Sequence, residues 1–327
     1  MKFKSFLFIG IIAMLSCSSN SPVEEDEEKK EEGPKVLVPL ADPFILLHND
    51  TYYAYGPGAD DGIEVMTSND LKVWKRPPKG IGSQLALHKY YSYGDKWFWA
   101  PEVYYVNDKF YMYYSAEEHM CVAISDSPMG PFKQPELKPM IEGEKTIDNT
   151  LFIDDDGKAY MFFNRFNDGL NIWVAELEED LMTLKKETMH KCIHVSQEWE
   201  KVWPRVNEGS FVIKHNGIYY MTYSANSYES PFYGIGCATA TDIMGEWTKY
   251  PDNPLLQKPG TLVGVGHSAM FKDKEGNWRI VFHAHSSKTS IHPRKMHMSK
   301  VGFKKTDGVD KLFIDQDYLT PSLSVNK

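Results

Sequence analysis

From residue 36 onward, the chain is a succession of short runs in which apolar and polar residues alternate, separated by turn-forming pairs. Five such pairs begin at Asn49, Asn107, Asp156, Asn216 and Glu275, between 49 and 60 residues apart. Alternation with a period of two is typical of half-buried strands, and a turn pair between two such runs predicts a hairpin. Apolar runs with helical spacing are scarce. The pattern therefore predicts an all-β fold.

Each predicted hairpin is followed by a third apolar run and by a turn toward a fourth. Examples of the third run are GIEVMTS, starting at Gly62, and MCVAIS, starting at Met120. A repeat of about 50 residues that holds four strands is typical of a propeller blade. Five repeats predict one domain, a five-bladed β-propeller over residues 36–327.

In a propeller, the first strands of all blades surround a central channel, so comparable positions in the repeats should face one another. Counting back five to eight residues from each turn pair gives Asp42, Glu102, Asp148, Glu208 and His267. Clustered carboxylates are costly to bury unless they are paired or have a function. The sequence therefore predicts a functional site at one end of the channel.

The first 35 residues have a different character. Lys2 and Lys4 precede an apolar run over residues 6–15, which is too short to span a bilayer and is followed by Ser16 and Cys17. This pattern indicates a lipoprotein signal peptide over 1–17 with Cys17 as the lipidated residue; an ordinary signal peptide is the alternative. Residues 18–35 carry a dense acidic run, which predicts a flexible linker. We expect an exported protein, in the periplasm or on the outer membrane surface, that contacts the membrane only through its lipid.

Composition narrows the function classes. The chain has 327 residues, of which 42% are hydrophobic and 13% aromatic, and this is enough apolar material for a large core. The formal net charge of −9 offers no basic surface for a phosphate backbone, so nucleic acid is not an expected partner. The cluster of acids has a more specific use. Two carboxyl groups on opposite sides of a pocket, one protonated and one ionised, are what glycoside hydrolysis requires.

The same residues lie in five short segments that resemble, in order and spacing, those of glycoside hydrolase family 43. The segments are Ala41-Asp42-Pro43-Phe44, Trp99-Ala100-Pro101-Glu102, Ile147-Asp148-Asn149, Asn207-Glu208-Gly209 and Gly266-His267-Ser268. The resemblance implies an inverting glycosidase on a five-bladed propeller. It implies that Asp42 is the general base, that Glu208 is the general acid, and that Asp148 orients the acid and tunes its pKa. Glu102 is interpreted as a structural neighbour.

The resemblance also implies roles for residues around the acids. Arg294 matches an arginine that reaches the pocket floor, where it could contact a sugar hydroxyl and the acid; an arginine on the surface of a strand is the alternative. His267 matches a histidine that helps to hold a structural calcium ion, although the reaction itself requires no metal. Phe98, Trp99 and Trp203 are candidate sugar platforms, and each could instead pack between blades. The histidines of the tract His283, His285, His292 and His297 lack the close spacing of metal ligands and are interpreted as strand and loop residues.

The predicted substrate is a plant oligosaccharide or polysaccharide. Exo-acting release of terminal α-L-arabinofuranose is the first expectation that the resemblance gives, and β-xylosidase or galactosidase activity is the alternative. A sugar-binding propeller lipoprotein that has lost catalysis is an alternative from another class, and the presence of all three acids disfavours it.

Overall fold

The fold is all-β, as the sequence predicts. The structure, a computed structural model, describes residues 36–77, 85–203 and 205–324. The predicted signal peptide (1–17) and linker (18–35) lie outside the described residues. Within these, helix is limited to three short 3-10 segments, Lys89–Tyr91, Lys186–Thr188 and Glu198–Lys201. No helix in the described ranges is long and apolar enough to cross a membrane.

Most strands belong to five antiparallel sheets in which the strands pair in the order in which they follow along the chain. The first two sheets comprise β2 (Phe44–His48), β3 (Thr51–Ala59), β4 (Gly62–Ser68) and β6 (Leu85–His88), then β7 (Trp99–Val106), β8 (Lys109–Ala116) and β9 (His119–Ser125). The third comprises β10 (Thr146–Ile153), β11 (Ala159–Phe166), β12 (Leu170–Glu176) and β13 (His190–Ile193). The fourth comprises β14 (Asn207–His215), β15 (Ile218–Ala225), β16 (Gly234–Ala240) and β17 (Thr248–Lys249). The fifth comprises β18 (Gly266–Lys272), β19 (Trp278–Ala284), β20 (Lys295–Thr306) and β21 (Val309–Leu319).

The prediction of five blades is wrong, because the described residues form six sheets in a propeller arrangement. The sixth contains β1 (Val36–Leu37), β5 (Val73–Trp74) and β22 (Ser322–Leu323). In it, β22 pairs antiparallel with β1 and parallel with β5. Strands of two residues are too short to show alternation, and this pairing joins distant parts of the chain. The repeat in the sequence therefore gave no sign of it.

The hairpin predictions are confirmed. Each of the five turn pairs identified in the sequence lies in a turn between the first and second strand of a sheet. His48 pairs with Thr51 and Val106 with Lys109, so two residues close each of these two hairpins. The first strands β2, β7, β10, β14 and β18 contact one another in a closed ring, β18 returning to β2. This ring brings the starts of the five strands together.

The core lies between the sheets and is rich in aromatic residues. Phe44 of β2 lies 5.4 Å from Tyr104 of β7 and 6.4 Å from Phe211 of β14, measured between ring centroids. All three strands belong to the inner ring, and Phe44 and Phe211 are buried. Removing one such side chain from water contributes roughly 1.5–3 kcal/mol. Packing of this kind holds the ring in place around the site.

Candidate active site

The candidate site is built where the inner strands begin, and a local distortion shapes it. β10, β14 and β18 each contain a bulge or irregularity near the start, after Ile147, Glu208 and Gly266 respectively. The residue that follows has left-handed backbone geometry: Asp148 (φ 56°), Gly209 (56°) and His267 (50°). Asp42, just before β2, also has a positive φ of 39°. Non-glycine residues adopt this geometry at a cost, and such outliers cluster at functional sites.

Asp42 lies among three cationic or imidazole groups. Its Oδ1 lies 2.7 Å from Nη1 of Arg294, 3.3 Å from Nδ1 of His283 and 3.6 Å from Nδ1 of His267. Burial alone would raise the pKa of Asp42, but Arg294 and the two histidines together outweigh it and hold that pKa well below its ordinary value. Asp42 is therefore ionised at every pH at which the protein would normally work.

Both histidines beside Asp42 favour the neutral form. Burial, together with the charge of Arg294, lowers the pKa of His283 to about 3. Nδ1 of His283 accepts a hydrogen bond from the backbone N–H of Asp42 at 3.2 Å, which an unprotonated nitrogen can do. Burial likewise lowers the pKa of His267. Arg294 is thus the permanent positive charge beside Asp42.

Glu208 has the opposite character. Burial raises its pKa to about 7, and the negative charge of Asp42 acts in the same direction. The hydroxyl of Tyr233 donates to Oε1 of Glu208 at 2.9 Å, and this contact and Arg294 limit the rise. A carboxyl group with such a pKa carries a proton in an appreciable fraction of molecules near neutral pH.

Asp148 lies near both of these acids. Burial and the charges of Glu208 and Asp42 raise its pKa well above the ordinary value. Its backbone N–H donates to Oγ of Ser115 at 3.1 Å. Its Oδ2 is buried and has no hydrogen-bond partner among the residues that the structure describes. A buried, unpaired carboxyl oxygen beside two other acids is expected at a site that binds a ligand rather than in a filled core.

The sequence-based prediction that Asp42, Asp148 and Glu208 share one site is therefore supported by their mutual electrostatic interaction. Glu102 lies behind them, where it accepts from the hydroxyls of Tyr104 (2.5 Å) and Thr150 (2.9 Å). Burial raises the pKa of Glu102 to about 8. The hydrogen bonds of Glu102 to Tyr104 and Thr150 agree with the structural role expected for it.

The other predicted site residues differ in where they lie. Arg294 reaches the site, but its Nη1 contacts Asp42 and, at 3.4 Å, Nε2 of His283. It affects the acid Glu208 through its charge. Trp99 is partly buried at the start of β7, and Trp203 is 47% exposed. Phe98 is 3% exposed, belongs to the core and lies 6.4 Å from the ring of Tyr114. The interpretation of Phe98 as an open sugar platform is therefore corrected to a packing residue.

Three residues of the site are not identified by the sequence pattern. His283, which the sequence predicts as an ordinary strand or loop residue, contacts Asp42, and the hydroxyl of Tyr233 donates to Glu208. Tyr228 lies under the guanidinium of Arg294, whose Cζ is 4.5 Å from the ring centroid. A signal was available for His283, because a polar residue within the apolar run IVFHA predicts a buried group with a specific partner.

The calcium ion expected near His267 finds little support in the donor set. Calcium prefers six to eight oxygen ligands. The nearest acidic oxygen to His267 is that of Asp42, which is already paired with the cation of Arg294. Among the described residues, no group of three or more histidine, cysteine or acidic side chains could hold a metal. Calcium therefore stays a prediction of the resemblance.

Comparisons with known proteins agree with this geometry. The family model described as "Glycosyl hydrolases family 43" matches residues 34–309. The chain belongs to glycoside hydrolase family 43. It is therefore an O-glycosyl hydrolase, and inversion of the anomeric configuration is the known property of this family.

Relatives of this glycosidase carry several activities in their names. A crystal structure described as an endo-1,4-β-xylanase from Bacteroides thetaiotaomicron is 46% identical, with a TM-score of 0.83, and the match covers 88% of this chain and 98% of that one. The β-D-galactofuranosidase xynD of Aspergillus niger is 25% identical over 74% of this chain and 73% of its own. A xylosidase/arabinosidase of Butyrivibrio fibrisolvens is 29% identical over 73% of this chain and 48% of its own length. Family membership thus fixes the class of reaction and leaves the sugar open.

Proposed function

We propose that this glycosidase releases single sugars from the ends of plant polysaccharide chains or side chains, with Asp42 as general base and Glu208 as general acid. These roles rest on the pKa values of the two acids, which are shifted in opposite directions within one cluster of acids. Asp42 is held ionised by Arg294, whereas burial and the charge of Asp42 raise the pKa of Glu208 to about 7. One carboxylate ready to accept a proton and one carboxylic acid ready to donate one are what inversion requires.

In the proposed reaction, a water molecule attacks the anomeric carbon on the face opposite the leaving group. Asp42 accepts a proton from this water, while Glu208 donates its proton to the glycosidic oxygen as the bond from that oxygen to the anomeric carbon breaks. The products are a free sugar of inverted configuration and a shortened chain. The proton on Asp42 and the charge on Glu208 return to the starting state through solvent.

Asp148 is proposed to form with Glu208 a coupled pair of carboxyl groups that holds a proton near neutral pH. The ionised form of either group raises the pKa of the other, and the backbone of Asp148 is fixed through Ser115. Like charges in a buried cluster raise one another's pKa values. Replacing Asp148 by asparagine is therefore expected to impair catalysis while sugar binding persists.

We propose terminal α-L-arabinofuranose as the sugar released, with β-xylose or a galactose as the alternatives. The names of relatives support this range, since they include a xylosidase/arabinosidase and a galactofuranosidase. The natural substrate would be an arabinan, an arabinoxylan or an arabinogalactan, or oligosaccharides derived from them. An endo-acting enzyme would instead release short oligosaccharides, and this difference is measurable.

The experiment that tests the proposal combines a substrate screen with product analysis. Purified protein is incubated with 4-nitrophenyl α-L-arabinofuranoside, β-D-xylopyranoside and galactosides, and with the three polysaccharides. We expect monosaccharide as the first product, of inverted configuration by proton NMR, and no activity above background with Asp42→Asn. Oligosaccharides as first products would overturn exo action. Undiminished activity of a folded Asp42→Asn protein would overturn the assigned base.

We also propose that the enzyme is exported and held in the cell envelope by a lipid on Cys17. The support is the sequence pattern alone: two lysines, an apolar run and Ser16-Cys17. Labelling of the full chain with a radioactive fatty acid in a bacterial host tests this. Label on the wild type but not on Cys17→Ser supports the anchor, and equal labelling of both contradicts it.

A further inference from the structure

Trp97 lies two residues before β7, where it is exposed and has a backbone conformation that bulky residues rarely adopt. Its side chain is 47% exposed, and its indole stacks on that of Trp99 with centroids 5.8 Å apart and planes 16° apart. The φ of Trp97 is 58°, a value that is a genuine outlier for a bulky residue. The fold thus keeps a large apolar ring half in water and accepts backbone strain to do so.

The segment that carries the Trp97–Trp99 stack lies beside a strand that contacts the acid cluster. Trp99 pairs with Ser115 across β7 and β8. The hydroxyl of Ser115 accepts the backbone N–H of Asp148 at 3.1 Å. The backbone of Trp99 is therefore one strand pair and one hydrogen bond away from the backbone of Asp148, and Trp97 precedes Trp99 by two residues.

The loop that carries Trp97 is tied to the neighbouring β8–β9 turn. The backbone N–H of Glu117 donates to the carbonyl of Lys96 at 3.2 Å, and the N–H of Asp95 donates to Glu117 Oε1 at 3.4 Å. The ring of Tyr93 lies 5.5 Å from that of His119, which adds a further contact between the two segments. The backbone next to Trp97 is thus held in place before any ligand arrives, which lowers the entropy cost of binding.

We propose that Trp97 is a binding platform for the part of a polysaccharide that lies outside the pocket for the terminal sugar. This inference rests on the proposed function, because it takes the acid cluster as the point of cleavage. A flat aromatic face suits the apolar C–H face of a neutral sugar ring. Nζ of the exposed residue Lys96 lies 4.6 Å from the centroid of the Trp97 ring, so a sugar that binds there replaces the contact with this flexible side chain. Trp97 then acts on polymers and not on a single sugar.

The test compares substrates with and without sugar beyond the cleaved residue. The methyl glycoside of the released sugar reaches only the terminal pocket, whereas the polysaccharide reaches Trp97. Three variants are compared with the wild type: Trp97→Ala, the conservative Trp97→Phe, and Tyr105→Ala as control. Tyr105 is 44% exposed at the opposite end of the same strand. Because Trp97 is strained, a fourth variant, Trp97→Asn, suits the left-handed backbone and is expected to melt no lower than Trp97→Ala.

We expect Trp97→Ala to lower kcat/KM for the polysaccharide roughly tenfold, the scale of one lost aromatic contact, and to leave the methyl glycoside unchanged within about twofold. Trp97→Phe should retain most of the polymer activity, and Tyr105→Ala all of it. Polymer activity unchanged in Trp97→Ala, or an equal loss on both substrates, would overturn the proposal.

A second readout does not depend on turnover. In an Asp42→Asn background, migration in native gels that contain the polysaccharides reports binding alone. Retardation that disappears with Trp97→Ala supports the platform even if the screen for the released sugar fails and the proposed function is withdrawn. No retardation of the parent protein by any of the polysaccharides, or retardation that persists without Trp97, would overturn it.

Discussion

Replacing Arg294 by glutamine removes the cation nearest to Asp42 and should change the pH profile in a defined way. Nη1 of Arg294 lies 2.7 Å from Oδ1 of Asp42, and both side chains are largely buried, at 12% and 8% exposure. Two unit charges about 4 Å apart interact by about 4 kcal/mol at an effective dielectric constant of about 20, which corresponds to about three pH units in a pKa. The pKa of Asp42 should rise by this order when the guanidinium is lost.

The sign of the effect follows from the role of each acid. A base must be ionised, so activity is lost as the pH falls through its pKa, and a higher pKa moves this acidic limb toward neutral pH. Arg294 also lowers the pKa of Glu208, so its removal moves the alkaline limb upward as well. In the wild type, activity should be flat on the acidic side and decline as the pH rises through about 7, where Glu208 loses its proton.

The assay is kcat/KM for the cleaved 4-nitrophenyl glycoside between about pH 3.5 and about pH 9, which reports pKa values of the free enzyme. Arg294→Lys is the matched control, because it keeps the charge and loses the planar fork and its stacking on Tyr228. Its acidic limb should stay near that of the wild type even if its rate is lower. A glutamine variant that loses rate equally at every pH, with both limbs unmoved, would refute the reasoning.

Two further predictions concern the framework. Lys249→Met leaves Glu200, which is fully buried and 2.6 Å from Nζ of Lys249, without its cation. This variant should lower the free energy of unfolding by about 3–5 kcal/mol in urea titrations. Lys201→Met removes the cation of an exposed ion pair and should cost less than about 1 kcal/mol, so equal losses in the two variants would contradict the prediction. Gly209→Ala adds a Cβ to a residue with a φ of 56°, and this atom would lie 3.1 Å from Nδ1 of His267. The variant should therefore have a lower melting temperature and a lower kcat than the wild type. A fully active variant would show that this contact is unimportant.

The hairpins and the shared acid site could be predicted from the sequence because both depend on local signals. A turn pair between two alternating runs marks the end of one strand and the beginning of the next. Counting back a strand's length from each turn identifies the residues at the start of the inner strand. The sixth sheet could not be predicted, since Val36 pairs with Leu323 and neither lies in a long alternating run.

The details of the site depend on features that alternation does not encode. Counting back from the turns treats Asp148, Glu208 and His267 as equivalent. In the structure, Asp148 and His267 have left-handed backbone geometry themselves. In the fourth sheet, Glu208 is instead the last paired residue before the irregularity, and Gly209 has the left-handed geometry. Tyr233 precedes the third strand of its sheet, so an argument about first strands could not find it.

The role of Glu208 as general acid is tested by how the activity of Glu208→Gln depends on the leaving group. We expect this variant to lose about 10²- to 10⁴-fold in kcat/KM on an oligosaccharide, whose alcohol must be protonated to depart. On a 2,4-dinitrophenyl glycoside of the same sugar, whose phenolate leaves without a proton, the loss should nearly vanish. Equal losses on the two substrates would show that Glu208 is not the acid and that the assignment of the site is wrong.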